Sequence, residues 1–376
     1  VSTRPGEWDE FLSGFGIERP KQGKRLGFSS TSLAVGAAME DLGVALADRS
    51  LIGKVLPVWV PVDDDVDMLV KGHIDRDAPA ENRRVNDQVI GWVDRLEKLG
   101  LVEKKFNTGF FTNGDSREPE LAGIGGAAAG SFYTLLVTLT LSFPIGVAAA
   151  IYLSEYAGDN WFTRLINVAI INLAGIPSIV YGIFGLGFFV YGIGGTLDKL
   201  FFAESLPTPT FGTGGILWAS LTLALLTVPV VIVATEEALG AIPREIREGS
   251  LALGSTKFQT LVRILLPMAS PGIMTGLILA MARAAGEVAP LMITGVVKLA
   301  PSLPIDGNFP FLHLDRKFMH LGFHIYDIGF QSPNVEAAKP MVFVTTLLLV
   351  LIVLTMSSVA IHLRNKMKKR YTFGTF

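Results

Sequence analysis

Arg283 and Glu287 stand four positions apart inside the apolar stretch Gly272 to Val297. On a helix that spacing puts both on one face, where they can pair. A lone charge at the centre of a bilayer costs about 2.5 to 3.5 kcal/mol on insertion scales, so such residues usually face a bundle interior or a water-filled path. Two roles fit: a translocation pathway in which Arg283 attracts an anion and Glu287 holds or releases that arginine, or an ion pair that only fixes helix packing. Pro177 and Ser178 fall in the middle of another apolar run, where they either free backbone groups to line a polar cavity or merely kink a helix. His320 and His324 have helical spacing, with His313 and Asp327 nearby, but no third ligand at motif spacing makes them a metal site, and none is expected.

Other chemistry is missing. There is no cysteine, which removes disulfides, thiolate nucleophiles and Cys-ligated metals. No nucleophile, base and acid stand in a recognisable constellation. The nearest approach to a phosphate-binding loop, Gly16 to Lys24 in GIERPKQGKR, has its glycines too far apart and Arg25 where a magnesium-binding Ser or Thr belongs. No catalysis and no cofactor are therefore expected on this chain, and energy for any pumping must come from another one. A net charge of −2 advertises no nucleic-acid partner.

The elements that position these residues are membrane helices. Half of the 376 residues are hydrophobic and only 18% are charged, with a mean hydropathy of +0.46, well above a soluble globule. A crossing needs about 20 mostly apolar residues, and five stretches meet this: roughly Gly130 to Leu153, Leu165 to Ile193, Gly215 to Thr235, Gly272 to Val297 and Met341 to Leu363. Pro144, Pro177 and Pro229 predict kinks within a bundle. A sixth candidate, residues 26–47, carries Glu40 and Asp41 and reads equally as an interfacial helix. The fold class is thus an all-α polytopic bundle of five to six transmembrane helices with a small N-terminal extracytoplasmic insertion.

Basic residues orient it, because short cytoplasmic loops are enriched in Lys and Arg. The run Arg364, Lys366, Lys368, Lys369 and Arg370 places the tail, 364–376, in the cytoplasm. Counting back from it puts the loop 237–271 inside, with Arg244, Arg247, Lys257 and Arg263, and the loops 194–214 and 298–340 outside. Residues 1–25 are then a cytoplasmic segment and 48–129 the insertion, in which Asn86 to Leu101 has the periodicity of an amphipathic helix with Val89, Ile90, Trp92, Val93, Leu96 and Leu99 on one side. The acidic opening with Glu7, Asp9 and Glu10 does not resemble a cleavable signal.

Inside 237–271, two short helical patterns, around Arg244 to Leu253 and Lys257 to Leu265, meet at Gly254-Ser255, with Gly254 suited to a left-handed cap. Such a pair on the cytoplasmic face is something a partner can grip, or simply an amphipathic loop. Its residues Glu248, Gly254, Ile264, Leu266 and Pro267 stand as E-x-x-x-x-x-G, nine residues, then I-x-L-P. This resembles the coupling loop shared by the permeases of bacterial ATP-binding-cassette importers, although Glu248-Gly249-Ser250 replaces the usual Glu-Ala-Ala. The stretches GSFYTLLVTLTLSFPIGVAAAIYLSEYA, the run Pro177 to Gly182, ARAAGEVAPLM and HIYDIGFQSPNVEAAKP together look like the PstA-type subunits of phosphate importers, over about Gly123 to Lys369.

The resemblance implies a multi-pass protein of the bacterial inner membrane that forms half of a phosphate pathway and couples to a separate ATPase dimer. It also implies a second permease of different sequence and an extracytoplasmic phosphate-binding protein, with ATP bound by the partner ATPase. It makes Arg283 and Glu287 pathway residues. Permeases for sulfate or molybdate carry the same loop and are the alternative. A secondary transporter would need two related halves, which the sequence does not display, and a channel or receptor has no need of the loop.

Overall fold

In a computed structural model, residues 62–104, 106–116, 122–300, 302–309, 311–332 and 334–371 are described. The crossing expected over 26–47 lies outside them. The chain divides into two compact units, residues 1–107 with 118–121, and residues 108–117 with 122–376.

In the first unit, α1 (Asp64–Lys71) opens on three aspartates and is capped by Asp63, whose carboxylate accepts from the Asp65 amide. Helix α2 (Asp87–Lys98) is capped by Asn86, which accepts from the Val89 amide. Their apolar faces meet in a small core of Val66, Leu69, Val85, Ile90 and Val93. The helix stops at Lys98, and Leu99, expected on its apolar face, is exposed because it lies past the last turn.

The second unit is a bundle. Five helical runs are long and apolar enough to cross a membrane: α3 (Gly125–Tyr156), α5 (Ser178–Phe201), α6 (Ile216–Gly240), α8 (Lys257–Gly286) and the hydrophobic part of α11 (Val335–Tyr371). Helix α6 is the centre, with two-thirds of its apolar window buried (67%), whereas α11 buries 6% and leaves Phe343, Leu347, Val350, Leu351 and Leu354 on the outside. Helix α6 packs on α3 and α8, and α8 on α11. Several buried hydroxyls are satisfied within their own helices, Thr134 donating to the Gly130 carbonyl, Thr222 to Trp218 and Thr227 to Leu223, and Thr138 and Ser220 bond across between α3 and α6. No water is available in the hydrocarbon to do this.

Two expected spans have other boundaries. The stretch 165–193 is two elements, α4 (Trp161–Ala174) and α5. A proline ring clashes with the carbonyl four residues back, so Pro177 ends α4 and becomes the residue that precedes α5, a break instead of a kink. At 14 residues, or about 21 Å, α4 is too short to cross. The fourth span begins at Lys257 and ends at Gly286 instead of running from Gly272 to Val297. Here Pro290, near the start of the short helix α9 (Ala289–Thr294), forbids continuation past Gly286 for the same reason. Pro144 and Pro229 do lie inside helices.

Helix α10 (Leu321–Gln331) packs on α11 and on the start of α3. That approach depends on Gly130: a Cβ there would lie 2.0 Å from the Met319 carbonyl oxygen. Next to it, the Ser131 hydroxyl accepts from the Leu321 amide at 2.8 Å. Gly130→Ala should therefore lower stability by about 1 to 3 kcal/mol through overpacking. Thermal unfolding of the purified protein in detergent checks this, with Gly126→Ala, where a Cβ meets nothing within 4 Å, expected to behave as the parent.

Candidate functional site

The short helix α7 (Arg244–Ala252) follows α6 after a three-residue turn and leads into α8. The chain reverses at Gly254, whose φ of +86° is open to glycine and strained for other residues. Around it the Gly254 amide donates to the Leu251 carbonyl at 2.9 Å and the Ser255 amide to Ser250 at 3.2 Å, which satisfies carbonyls left free at the end of α7. Helix α8 then starts with a capping box: Thr256 accepts from the Gln259 amide at 3.2 Å and Gln259 accepts from the Thr256 amide at 2.9 Å. The hydroxyls of Ser250 and Thr260, both buried, meet at 2.9 Å and clamp the two legs.

The expected pair of short helices is therefore present, but its second leg is the first part of a crossing helix, not a separate one. The turn carries its apolar residues outward: Leu253 is 89% exposed and Phe258 66%. Glu248 and Gly249 are exposed, Ser250 is buried, and Ile264, Leu266 and Pro267 are half-buried. The residues that anchor this end of α8 are Leu261 and Leu265, which pack with Leu239, Ile242, Ala269 and Ile273.

At the other end of α8, Arg283 Nε lies 3.9 Å from Glu287 Oε1, with side chains 30% and 21% exposed. Glu287 is not on the helix. It is the first residue past it, with extended backbone (ψ 135°), so the two reach each other around the helix end. A contact of this length between partly exposed groups is a loose pair, not a buried, hydrogen-bonded bridge.

Pro177 and Ser178 mark the start of α5. The Leu173 carbonyl freed there accepts from the Tyr181 hydroxyl at 2.5 Å, and Tyr181 is within electrostatic reach of Arg283. Among the described residues no hydrogen bond or ion pair joins Pro177 or Ser178 to Arg283 or Glu287. Helices α5 and α9 pack closely at Gly182, where a Cβ would come within 2.8 Å of Pro290.

The histidines serve structure. His320 Nδ1 accepts from the Gly322 amide at 3.2 Å and caps α10, and burial pushes its pKa down to about 4, so it is neutral near pH 7. His324, fully buried, lies 3.5 Å from Asp115. Burial tends to raise the Asp115 carboxyl, but the His324 ring beside it and the hydrogen bond from the Leu299 amide outweigh it and hold it below the usual range. Asp327 pairs with Lys298 at 2.5 Å, while His313 and Arg316 both hold Asp306. Among the described residues these side chains do not converge on a common metal position.

A central helix packed among neighbours long and apolar enough to cross a membrane, with an apolar-tipped turn at one end of α8 and a loose ion pair at the other, is the architecture of a multi-pass membrane protein. Residues 142–369 match the family described as "Binding-protein-dependent transport system inner membrane component", and residues 20–80 match a domain of unknown function, DUF3333. The chain is 34% identical over 237 residues to "Probable ABC transporter permease protein YqgI" of Bacillus subtilis, covering 61% of this chain and 74% of that one. It is 36% identical over 193 residues to "Phosphate transport system permease protein PstA" of Mycobacterium leprae, covering 51% and 58%. With the PstA of Yersinia pestis the identity is 37% over 178 residues, covering 46% and 53%. The chain thus spans a little over half the length of these two phosphate relatives. It belongs to the binding-protein-dependent inner membrane components, the permeases of ABC transporters, and is a multi-pass protein of the inner membrane.

Proposed function

We propose that this chain is one permease of an ATP-driven phosphate importer. The observation that carries the reading is that one matched segment, 142–369, holds both the apolar-tipped turn at Gly254 and the loosely paired Arg283. The turn offers Leu253 and Phe258 to an ATPase, and Arg283 offers a cation to an oxyanion within a low-dielectric span. The names of the PstA relatives support phosphate as that anion. On this reading the helix pair lies in the cytoplasm, a different permease completes the pathway, a phosphate-binding protein docks outside, and ATP binds to the partner ATPase.

Reconstitution tests it. Proteoliposomes holding this chain with its neighbouring permease, ATPase and binding protein should take up labelled phosphate only with ATP, and unlabelled phosphate should compete while sulfate and molybdate do not. Competition by sulfate or molybdate alone would move the assignment to that anion. The purified chain by itself should bind no ATP, and stoichiometric binding would contradict the division of labour.

A further inference from the structure

Arg247 is half-buried among three elements. Its guanidinium donates to the Leu239 carbonyl at 2.6 Å and the Ile242 carbonyl at 2.7 Å, and to Glu155 Oε1 at 3.1 and 3.3 Å. Leu239 lies in the last turn of α6 and Ile242 in the turn that follows; the Leu239 carbonyl also accepts from the Ile242 amide at 3.2 Å, and the helix dipole is negative at this end. Glu155 lies in the last turn of α3, where a carboxylate faces the negative end of its own helix and is unfavourable unless partnered. Arg247 and Glu155 are 21% and 18% exposed. The planar fork of arginine can make all these bonds at once, and the point charge of lysine cannot.

We propose that Arg247 is a positioning residue that ties the coupling helix α7 to the ends of α3 and α6, so that a displacement of α7 is transmitted to both spanning helices. Without it, α7 is held to α6 by the turn at residues 241–243, to α8 by the Gly254 turn and the Ser250–Thr260 contact, and to the apolar cluster beneath by Ile246, a contact without direction that lets the helix slide. Push on such a helix is taken up by the turn at 241–243. With Arg247 in place, α7 and the ends of α3 and α6 move as one body, over the apolar contacts of Leu239, Ile242 and Leu265 with Val147 and Ile151. The inference rests on the importer reading for its purpose, and on the hydrogen bonds alone for its geometry.

The test uses the assembled complex in proteoliposomes and reads phosphate moved per ATP hydrolysed. Arg247→Gln should lower this ratio at least about fivefold, the low end of site-to-site coupling, at equal amounts of complex. Arg247→Lys should fall between, and Glu155→Gln should cost least because the two carbonyl bonds survive. Because the chain has no cysteine, spin labels at Tyr156→Cys and Glu245→Cys are its only thiol labels. Their distance should stay narrow when ATP binds to the parent complex, and broaden and shift with Arg247→Gln.

An unchanged ratio and distance in Arg247→Gln would overturn the proposal. If Arg247→Gln does not assemble, Arg247→Lys decides: a ratio below the parent's at equal amounts of complex upholds the tie and a normal ratio removes it. A parent complex that hydrolyses ATP but moves no phosphate refutes the substrate, and the label distance then judges the tie by itself.

Discussion

Arg283→Gln should abolish anion uptake while the protein stays in the membrane at near-normal amounts. A buried bridge that loses one partner strands a charge and costs about 3 to 5 kcal/mol, which is seen as lost protein. Arg283 and Glu287 instead meet at 3.9 Å and keep 30% and 21% of their surfaces open; on the pathway reading that open surface meets water, so each is solvated in part without the other. Glu287 also lies past the end of α8, where its backbone does not depend on the pair. An anion entering the span has no such relief. If Arg283 offsets about 2.5 to 3.5 kcal/mol of its transfer cost, comparable to a charge on insertion scales, neutralising it slows passage roughly a hundredfold. Glu287→Gln should leave protein levels unchanged. Uptake measured beside quantified complex in membranes decides: loss of complex in proportion to loss of uptake would make the pair structural.

The membrane helices were legible because a span is read from length and apolarity, and the cap at Gly254 because few residues tolerate its φ. What was not legible depends on contacts across the fold or on breaks that hydropathy averages over. Hydropathy runs through Pro177 and Pro290, yet each ring forces the chain out of the helix, and so α5 begins at Ser178 and Glu287 falls off the end of α8. The ring rule was available in the sequence, and Pro290 was the signal that could have placed Glu287. The I-x-L-P pattern pointed to Ile264 and Leu266, whereas the buried anchor is Leu265 between them, because a helix turn and not a motif decides which residue faces α6. Arg247 had no signal at all: Glu155 is 92 positions away, and the two carbonyls it holds belong to the backbone. The neighbour of His324 was out of sight in the same way, because Asp115 is still more remote in sequence.

Gly254→Val should disconnect ATP hydrolysis from uptake without expelling the chain from the membrane. A Cβ at Gly254 meets nothing within 4 Å, so packing contributes nothing to the effect, and all of it arises in the backbone. At φ +86° an L-residue costs about 1 to 2 kcal/mol, and β-branching makes the region less accessible still. The turn is then cheaper to rearrange than to keep. Rearrangement breaks the bonds from Gly254 and Ser255 to Leu251 and Ser250 and reorients the exposed Leu253 and Phe258, the surface proposed to meet the ATPase. The spanning part of α8 is anchored separately by Leu261 and Leu265, so insertion should be spared. Asparagine visits the left-handed region routinely, and Gly254→Asn should therefore transport nearly as the parent does, whereas Gly254→Val should lose about tenfold or more, in line with the span of coupling energies. Uptake, ATP hydrolysis and co-purification of the ATPase, measured on both variants, separate the outcomes. Normal uptake by Gly254→Val would show that this turn transmits nothing, and equal loss by Gly254→Asn would show that the side chain, not the backbone, is at fault.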